Sequence, residues 1–145
     1  MKPKFFLLAL LSSFIVFSSF TFFDDGEVSL FDKNGDAIAY IDDDYTIYQW
    51  DGTPLAYMYK GDEDWHVYGF NGKHLGWFCG AIIYDKKGKR VSSPFNTKSK
   101  MLPFKSIKHI TPFKTMREFE PFTKPKLSDD WGDTMLETFL KAGEK

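Results

Sequence analysis

One short pattern occurs four times between residues 26 and 93, and it limits the possible folds more than any other feature. Each copy contains one turn glycine: Gly35, Gly52, Gly72 and Gly88. An aromatic residue and an Asp or Asn precede each glycine, with two further residues between them and the glycine in the first and last copies. Asp-Gly and Asn-Gly between aromatic and β-branched runs are the strongest short signal for a β-hairpin. The pattern therefore predicts four hairpins and eight strands.

The repeat spacing predicts how the hairpins assemble. Successive glycines are 17, 20 and 16 residues apart, which leaves room for two short strands and two turns per copy. A lone hairpin is marginal in water because two strands cannot bury a face, whereas repetition gives each hairpin a neighbour. We expect an all-β domain over residues 26–93, with four repeated hairpins closed into a short pseudo-fourfold barrel. An open meander is the alternative.

Both faces of the predicted sheet are apolar. Side chains alternate along a strand. One face should carry the aromatic residues that precede the turns, together with three neighbours: Phe31, Trp50, Phe70, Tyr84, Tyr48, Tyr68 and Ile82. The other face should carry aliphatic residues: Val28, Leu30, Ile47, Val67 and Ile83. A sheet does not leave two apolar faces in water, so another part of the chain should cover one of them.

The predicted cover is residues 94–127, where apolar residues recur at every third position. They are Phe104, Ile107, Ile110, Phe113, Met116, Phe119 and Phe122. Internal prolines exclude a helix, and a strand would need a period of two. A period of three matches polyproline II, which places all seven side chains on one edge. We expect this segment to lie on the barrel with its apolar edge inward and its lysine edge outward or paired. An external groove or anionic polymer as its partner, and disorder, are the alternatives.

Charge is divided between the two parts of the chain. Residues 24–92 contain 13 acidic and 7 basic residues, a net charge of −6, and residues 93–126 contain 2 acidic and 8 basic residues, a net charge of +6. Opposite charges suggest that the two segments bind each other, although a solvated acidic surface beside a free basic arm would give the same counts. No nucleic-acid partner is expected.

The two terminal segments lie outside the repeat. Residues 1–25 contain two lysines, an uncharged apolar run and two aspartates, a pattern typical of a signal peptide or of a membrane anchor with its N terminus in the cytoplasm. The body is therefore expected outside the cytoplasm, either secreted or periplasmic, or held at the membrane. In residues 128–145, polar caps precede a predicted helix over 134–142, which would pack through Leu136, Phe139 and Leu140.

The repeat and the segment behind it together resemble the four-fold β-flower domain family of bacteria. The resemblance is strongest in Leu75-Gly76-Trp77-Phe78, in Ile83-Tyr84-Asp85-Lys86-Lys87-Gly88 and in the Pro-Φ-Lys triplets after Pro103. It covers residues 26–140 and implies a shallow flower of hairpins, with no established biochemical activity and no catalytic residues to transfer. Ser93 stands where the other copies have an aromatic residue, so strict fourfold equivalence is not expected.

No catalytic or cofactor motif stands out. Three polar residues around the first turn glycine resemble part of a calcium loop: Asp32, Asn34 and Asp36. Loop position twelve is Asp43 rather than Glu, and turn chemistry explains the same residues. The three histidines lack metal-ligand spacing: His66, His74 and His109. We expect no cofactor, no metal and no catalytic residue, with a hydrolytic enzyme as a distant alternative.

Two functions are consistent with this organisation. The first is a non-catalytic, envelope-associated or secreted binding or scaffold module. Its ligand would lie in an aromatic-lined centre formed by Phe31, Trp50, Phe70 and Tyr84, or by Tyr40, Tyr57 and Trp77. The second is a structural component of an extracytoplasmic assembly that uses the Phe/Lys segment as its partner surface. An open aromatic centre would favour the first function, and a filled centre with exposed Phe would favour the second.

Overall fold

The computed structural model describes residues 26–145, so the interpretation of residues 1–25 lies outside it. Seven strands form one sheet in which each strand pairs antiparallel with the next in sequence. The strands are β1 (Val28–Phe31), β2 (Ala37–Ile41), β3 (Thr46–Gln49), β4 (Pro54–Lys60), β5 (Trp65–Gly69), β6 (His74–Cys79) and β7 (Ile82–Tyr84). Within the described residues one helix, α1 (Leu136–Lys141), follows near the C terminus. The predicted all-β class with a short terminal helix is confirmed, although the helix is shorter than expected at both ends.

The repeated glycines lie in the hairpin turns. Gly52 and Gly72 have φ angles of 93° and 86°, a conformation that a Cβ resists. In every turn the Asp or Asn side chain accepts a hydrogen bond from a backbone N–H two residues further on. These pairs are Asp32 with Asn34, Asp51 with Thr53, Asn71 with Lys73 and Asp85 with Lys87, at 2.9–3.0 Å. The local chemistry of such turns explains why the pattern recurs.

The sheet curls until its first strand meets the end of the repeat. Phe31 and Ser93 exchange two backbone hydrogen bonds of 2.9 Å, so the barrel is closed as predicted. The prediction of an eighth strand is wrong, because residues 90–93 form only isolated bridges. The hydroxyl of Ser92, instead of a backbone carbonyl, accepts the Ile83 N–H at 2.8 Å, and this side-chain bond interrupts the regular ladder.

The barrel interior is one aliphatic core. All five residues predicted on the aliphatic face belong to it, and Leu30, Ile47 and Val67 have no exposed surface. Helix α1 contributes Leu136, Phe139 and Leu140 to the same cluster, as its predicted packing face requires. The centre of the barrel is therefore filled by side chains from the strands and from the terminal helix.

Residues 94–127, called the ribbon below, contain no helix and no strand and follow the outside of the barrel. Backbone N–H groups of the ribbon donate to carbonyl oxygens beside the turns. The pairs are Ser106 to Trp50, His109 to Gly52, Thr115 to Phe70 and Glu118 to Gly72, at 2.8–2.9 Å. Donors lie three residues apart within a turn and nine residues apart between turns. The donor spacing thus matches the three-residue period of the apolar positions and the nine-residue spacing of Pro103, Pro112 and Pro121.

The turn glycines have a second role: they leave room for the backbone of the ribbon to pack against the turns. A Cβ on Gly52 would lie 2.1 Å from the carbonyl oxygen of Ile107, and a Cβ on Gly72 would lie 2.3 Å from that of Met116. Both obstacles are backbone atoms that a side-chain rotation cannot move. Glycine therefore serves the turn and the docking of the ribbon together.

The ribbon makes one circuit of the barrel. It passes the first three turns in order, and its end reaches the fourth, where Ser128 donates to the Gly88 carbonyl at 2.9 Å. Arg90 then forms a parallel bridge with Trp131, close to where the circuit began at Ser93. Across residues 26–145, no helix is long and apolar enough to cross a bilayer.

Candidate interaction surface

Basic side chains of the ribbon form cation–π contacts with aromatic rings on the outer surface of the barrel, called the outer wall below. The charged groups lie over tyrosines of the outer wall: Lys105 over Tyr40 at 4.9 Å, Lys108 over Tyr48 at 5.3 Å, Lys114 over Tyr57 at 4.2 Å and Arg117 over Tyr59 at 3.8 Å, measured to the ring centroids. The face of an aromatic ring carries negative charge that attracts a cation. Burial raises the pKa of the Tyr57 hydroxyl, although Arg117 opposes this shift.

Ion pairs reinforce the same edge of the ribbon. Lys98 contacts Asp36 and Lys124 contacts Asp64, each at 2.7 Å. Two further pairs join Lys105 to Glu27 and Lys108 to Asp42. Because these pairs are partly exposed, each contributes little stability alone. Together they show how the opposite charges of the two segments meet along the ribbon.

The apolar edge of the ribbon faces solvent, so the expectation that it lies inward is wrong. Each of its seven residues is at least 91% exposed. We call these seven the apolar row: Phe104, Ile107, Ile110, Phe113, Met116, Phe119 and Phe122. The three-residue period correctly groups them on one edge, but it does not determine which edge touches the barrel.

A physical reason for the inverted orientation lies in the outer wall itself. Tyr40, Tyr48 and Trp50 form one buried cluster and Tyr57, Tyr68 and Phe70 form another. Flexible basic side chains cover such rings with their methylene stems and place their charge over the ring face or on a nearby carboxylate. The acidic residues beside the wall favour this arrangement over a purely apolar one, and the row is left outside.

The aromatic residues predicted to surround a central ligand do not converge on the barrel centre. Tyr40 and Trp50 lie in the first outer cluster, with ring centroids 5.0 Å apart, and Tyr57 and Phe70 lie in the second, 5.6 Å apart. The remaining three are buried outside both clusters: Phe31, Trp77 and Tyr84. The core is aliphatic, so these seven residues do not line a central cavity together.

Two histidines form a buried pair where the ribbon crosses the third hairpin. His66 Nδ1 lies 2.9 Å from His74 Nε2, and His66 Nε2 lies 3.5 Å from a carboxylate oxygen of Glu120. Burial, helped by the neighbouring His66, lowers the pKa of His74 to about 4. The Glu118 carboxylate accepts the His74 backbone N–H at 2.9 Å. The pair therefore meets the ribbon through the His66 imidazole and the His74 backbone N–H, and burial lowers the pKa of both imidazoles.

The polar residues of the first turn serve that turn. Asp32 Oδ1 accepts the N–H groups of Asn34 and Asp36, at 2.9 and 3.0 Å, which is the turn chemistry expected of this string. A separate group of carboxylates, Asp42 to Asp44, lies in the β2–β3 turn, and Lys108 pairs with its first member. These contacts account for the carboxylates of Asp32 and Asp42.

Sequence reasoning missed the histidine pair as a contact, and it gave the Phe/Lys segment as a partner surface only in the second of its two functions, while expecting the apolar edge to lie inward. A signal for the pair was available, because His66 and His74 flank the Asn-Gly turn and are diagonal neighbours once the register is set. The signal for the row was the coincidence of wall tyrosines with basic residues at a period of three. Both require the barrel and ribbon to be considered together.

The fourfold turns, the closed barrel and the encircling ribbon are matched by one known family. A family model described as 4-fold beta flower protein matches residues 28–140. The chain belongs to the 4-fold beta flower family. No curated protein and no solved structure matches it significantly. In this beta flower protein the matched range contains the barrel, the complete ribbon and nearly all of α1, so the ribbon is part of the family domain.

Proposed function

We propose that this beta flower protein is a non-catalytic docking module of the cell envelope, with the apolar row as its contact surface for a protein partner. One observation carries the proposal: seven apolar side chains in a single row are each at least 91% exposed. Soluble monomers rarely expose contiguous apolar patches above roughly 300–600 Å². The four phenylalanines of the row alone offer roughly 600 Å², at about 150 Å² for each aromatic ring. A standard interface buries about 800 Å² per partner.

The row is held ready for binding. Its backbone is hydrogen-bonded to the turns on both sides of Phe113, through His109 and Thr115. A rigid surface loses little conformational entropy when it binds, which raises its affinity for a complementary partner. Extended segments with a three-residue period are recognised by proteins through aromatic-lined grooves.

The placement of charge favours a protein over a lipid surface. Membrane-binding segments combine apolar residues with basic residues free to reach anionic lipid headgroups. Here the basic residues between members of the row are turned to the barrel, as Lys114 and Arg117 lie on Tyr57 and Tyr59. A groove that takes up apolar side chains from a rigid ridge is the complement of this surface.

Site-specific photocrosslinking in living cells tests the proposal. A photoreactive amino acid replaces Phe113 or Phe119 in the full chain, and Thr111 provides a matched control, since it is also exposed on the ribbon but lies off the row. We expect a protein adduct of defined mass from both row positions and none from Thr111. The adduct should disappear when Ile110 and Met116 are replaced by Ser.

Three results would contradict the proposal. Adducts to lipid alone would show that the row contacts a bilayer. Equal adducts from Thr111 would show unspecific proximity. Persistence of the adduct in the Ile110→Ser, Met116→Ser variant would show that the row does not provide the binding energy.

A further inference from the structure

A cleft of about 800 Å³ lies between two hairpin turns and the C-terminal segment, and no residue of the apolar row lines it. One wall is formed by residues 73–75, beyond the third turn, and a second by residues 85–89 of the fourth turn. The third wall is formed by residues 131–142, and Glu118 of the ribbon closes one side. Sites for small molecules are typically clefts of about 300–1,000 Å³. The cleft is large enough to hold a ligand of one or two rings.

Fixed contacts between the walls make this cleft preformed. The side-chain amide of Asn71 donates to the Ala142 carbonyl at 2.8 Å, which attaches the third turn to the end of α1. The Gly132 N–H donates to the Arg90 carbonyl at 2.9 Å, which attaches the opposite wall to the fourth turn. Phe139 anchors α1 in the barrel core. A ligand could enter without ordering any of these elements.

The lining of the cleft contains four lysines and three carboxylates, a net charge of +1. The four lysines are Lys73, Lys86, Lys87 and Lys89. Lys89 pairs with Asp130 at 3.1 Å, whereas the other three form no ion pair within residues 26–145. Three carboxylates also line the cleft, but those of Asp85 and Glu118 already accept backbone N–H groups. Three of the four lysines therefore lack an ion pair in the described part of the chain and are available to an anionic ligand, although all three lining carboxylates keep their negative charge.

An apolar surface lies beside these cations. Leu75 and Phe139 are buried lining residues, and the ring of Trp131 is 36% exposed. Arg90 holds that ring from one side, at 5.6 Å from its centroid. A flat apolar group can rest on an exposed indole face while a charged group on the same molecule reaches the lysines.

His74 adds a buried polar group with unused hydrogen-bonding capacity. It lines the cleft, is 2% exposed, and its Nδ1 has no hydrogen-bond partner among residues 26–145. Glu120 favours a proton on His66 Nε2, so His66 Nδ1 accepts from His74 Nε2 and leaves His74 Nδ1 as an acceptor. This acceptor cannot bind an anionic oxygen, so the charged group of a ligand has to be held by the lysines, and Nδ1 would accept only from a donor carried elsewhere on the ligand.

We propose that this cleft binds a small organic anion. A flat apolar group lies against Trp131 and Leu75, and a phosphate or carboxylate group is held by Lys73 and Lys86. This binding site is independent of the protein-docking function of the apolar row, because no residue of the row lines the cleft.

Titration of the purified full chain with phenyl phosphate, followed by NMR shifts of the protein, tests the site. A parallel titration with benzoate tests a carboxylate in place of the phosphate, and benzyl alcohol is the uncharged control. We expect saturable binding of at least one anion, with shifts confined to the cleft and no saturation by benzyl alcohol. The Lys73→Gln, Lys86→Gln variant should weaken binding about tenfold, because two charged contacts are lost.

Lys33 provides the matched control for Lys86. Each follows the Asp of its turn, Asp32 or Asp85, at the same distance before the turn glycine, but Lys33 does not line the cleft. Lys33→Gln should leave the affinity within about twofold. Thr138→Trp, at an exposed position of α1 that lines the cleft, should block binding by filling it. Absence of saturation by both anions, equal binding of benzyl alcohol, or equal losses from Lys33→Gln and from the double variant would overturn the proposal.

Discussion

The barrel core and the ribbon use apolar residues in opposite ways. Inside the barrel, Leu30, Ile47 and Val67 are fully buried and hold the strands together. Along the ribbon, equally apolar residues face solvent, and attachment depends on basic side chains, carboxylates and backbone hydrogen bonds. The comparison teaches that apolar periodicity has two meanings in one chain. In the barrel it describes what stabilises the fold, and in the ribbon it describes what the fold presents.

The largest test of this comparison replaces the same residue type in each region. Ile47→Ala leaves a cavity in the closed core and should reduce the free energy of unfolding by about 2–5 kcal/mol. Ile110→Ala removes a side chain that is 96% exposed and should change it by less than about 0.5 kcal/mol. Urea unfolding of both variants measures the difference. Similar losses in the two variants would show that the row is buried in solution.

The second prediction concerns the turn glycine under the ribbon. Gly72→Ala places a Cβ against the Met116 carbonyl and should displace the ribbon locally. We expect the free energy of unfolding to fall by about 3 kcal/mol. Roughly 1 kcal/mol comes from the positive φ and roughly 1 kcal/mol from each of the two hydrogen bonds that the ribbon loses at this turn. Gly80→Ala is the matched control, because its φ is 58° and no atom lies near a Cβ there. It should cost about 1 kcal/mol. Equal costs in thermal unfolding would indicate that the ribbon does not press on the turn.

The third prediction tests the histidine pair that joins the two regions. The pKa of His74 falls to about 4 in the folded protein, below its ordinary value of 6.5. Between these values the unfolded chain binds a proton that the folded chain does not, so stability is lost as pH falls from 6.5 towards 4. Lowering the pH from 7 to 5 should remove about 2 kcal/mol through this group. His74→Gln should flatten that part of the pH profile, and an unchanged slope would argue against the buried pair.

The smallest expected effect belongs to one cation of the ribbon. Lys114→Met keeps the stem over Tyr57 but removes the charge that lies 4.2 Å from the ring centroid. We expect a loss of about 0.5–1 kcal/mol in urea unfolding. Lys87→Met, in an exposed turn without a ring contact, should cost less. If the two variants lose the same stability, the cation–ring contact does not hold the ribbon.

The elements of this fold that local chemistry controls were predictable from sequence. Gly52 and Gly72 identified their turns because Asp-Gly and Asn-Gly specify a backbone conformation within a few residues. The alternation of Leu30 and Phe31 identified two faces for the same reason. The eighth strand was not predictable, because a side chain, that of Ser92, takes the place of a backbone acceptor there.

The surfaces of the molecule were harder to predict, because they depend on contacts between distant segments. A three-residue period places Phe113 and Met116 on one edge, but it does not predict the cation–π contact between Lys114 and Tyr57. The cleft likewise exists only after α1 has docked beside the third turn, through Asn71 and Ala142. Neither arrangement leaves a signal in a short window of sequence.

The circuit of the ribbon has a consequence for local opening. Both of its ends are fixed near the same short stretch, by Ser93 at the start and by Trp131 at the finish. When the middle of the ribbon detaches from one turn, the detached residues form a loop whose two ends are still fixed to the barrel. The conformational entropy of such a loop changes slowly with its length. The amide hydrogens of Ser106 and Thr115 can therefore exchange through separate local openings of low free energy. The amide hydrogens of the barrel strands exchange only through global unfolding.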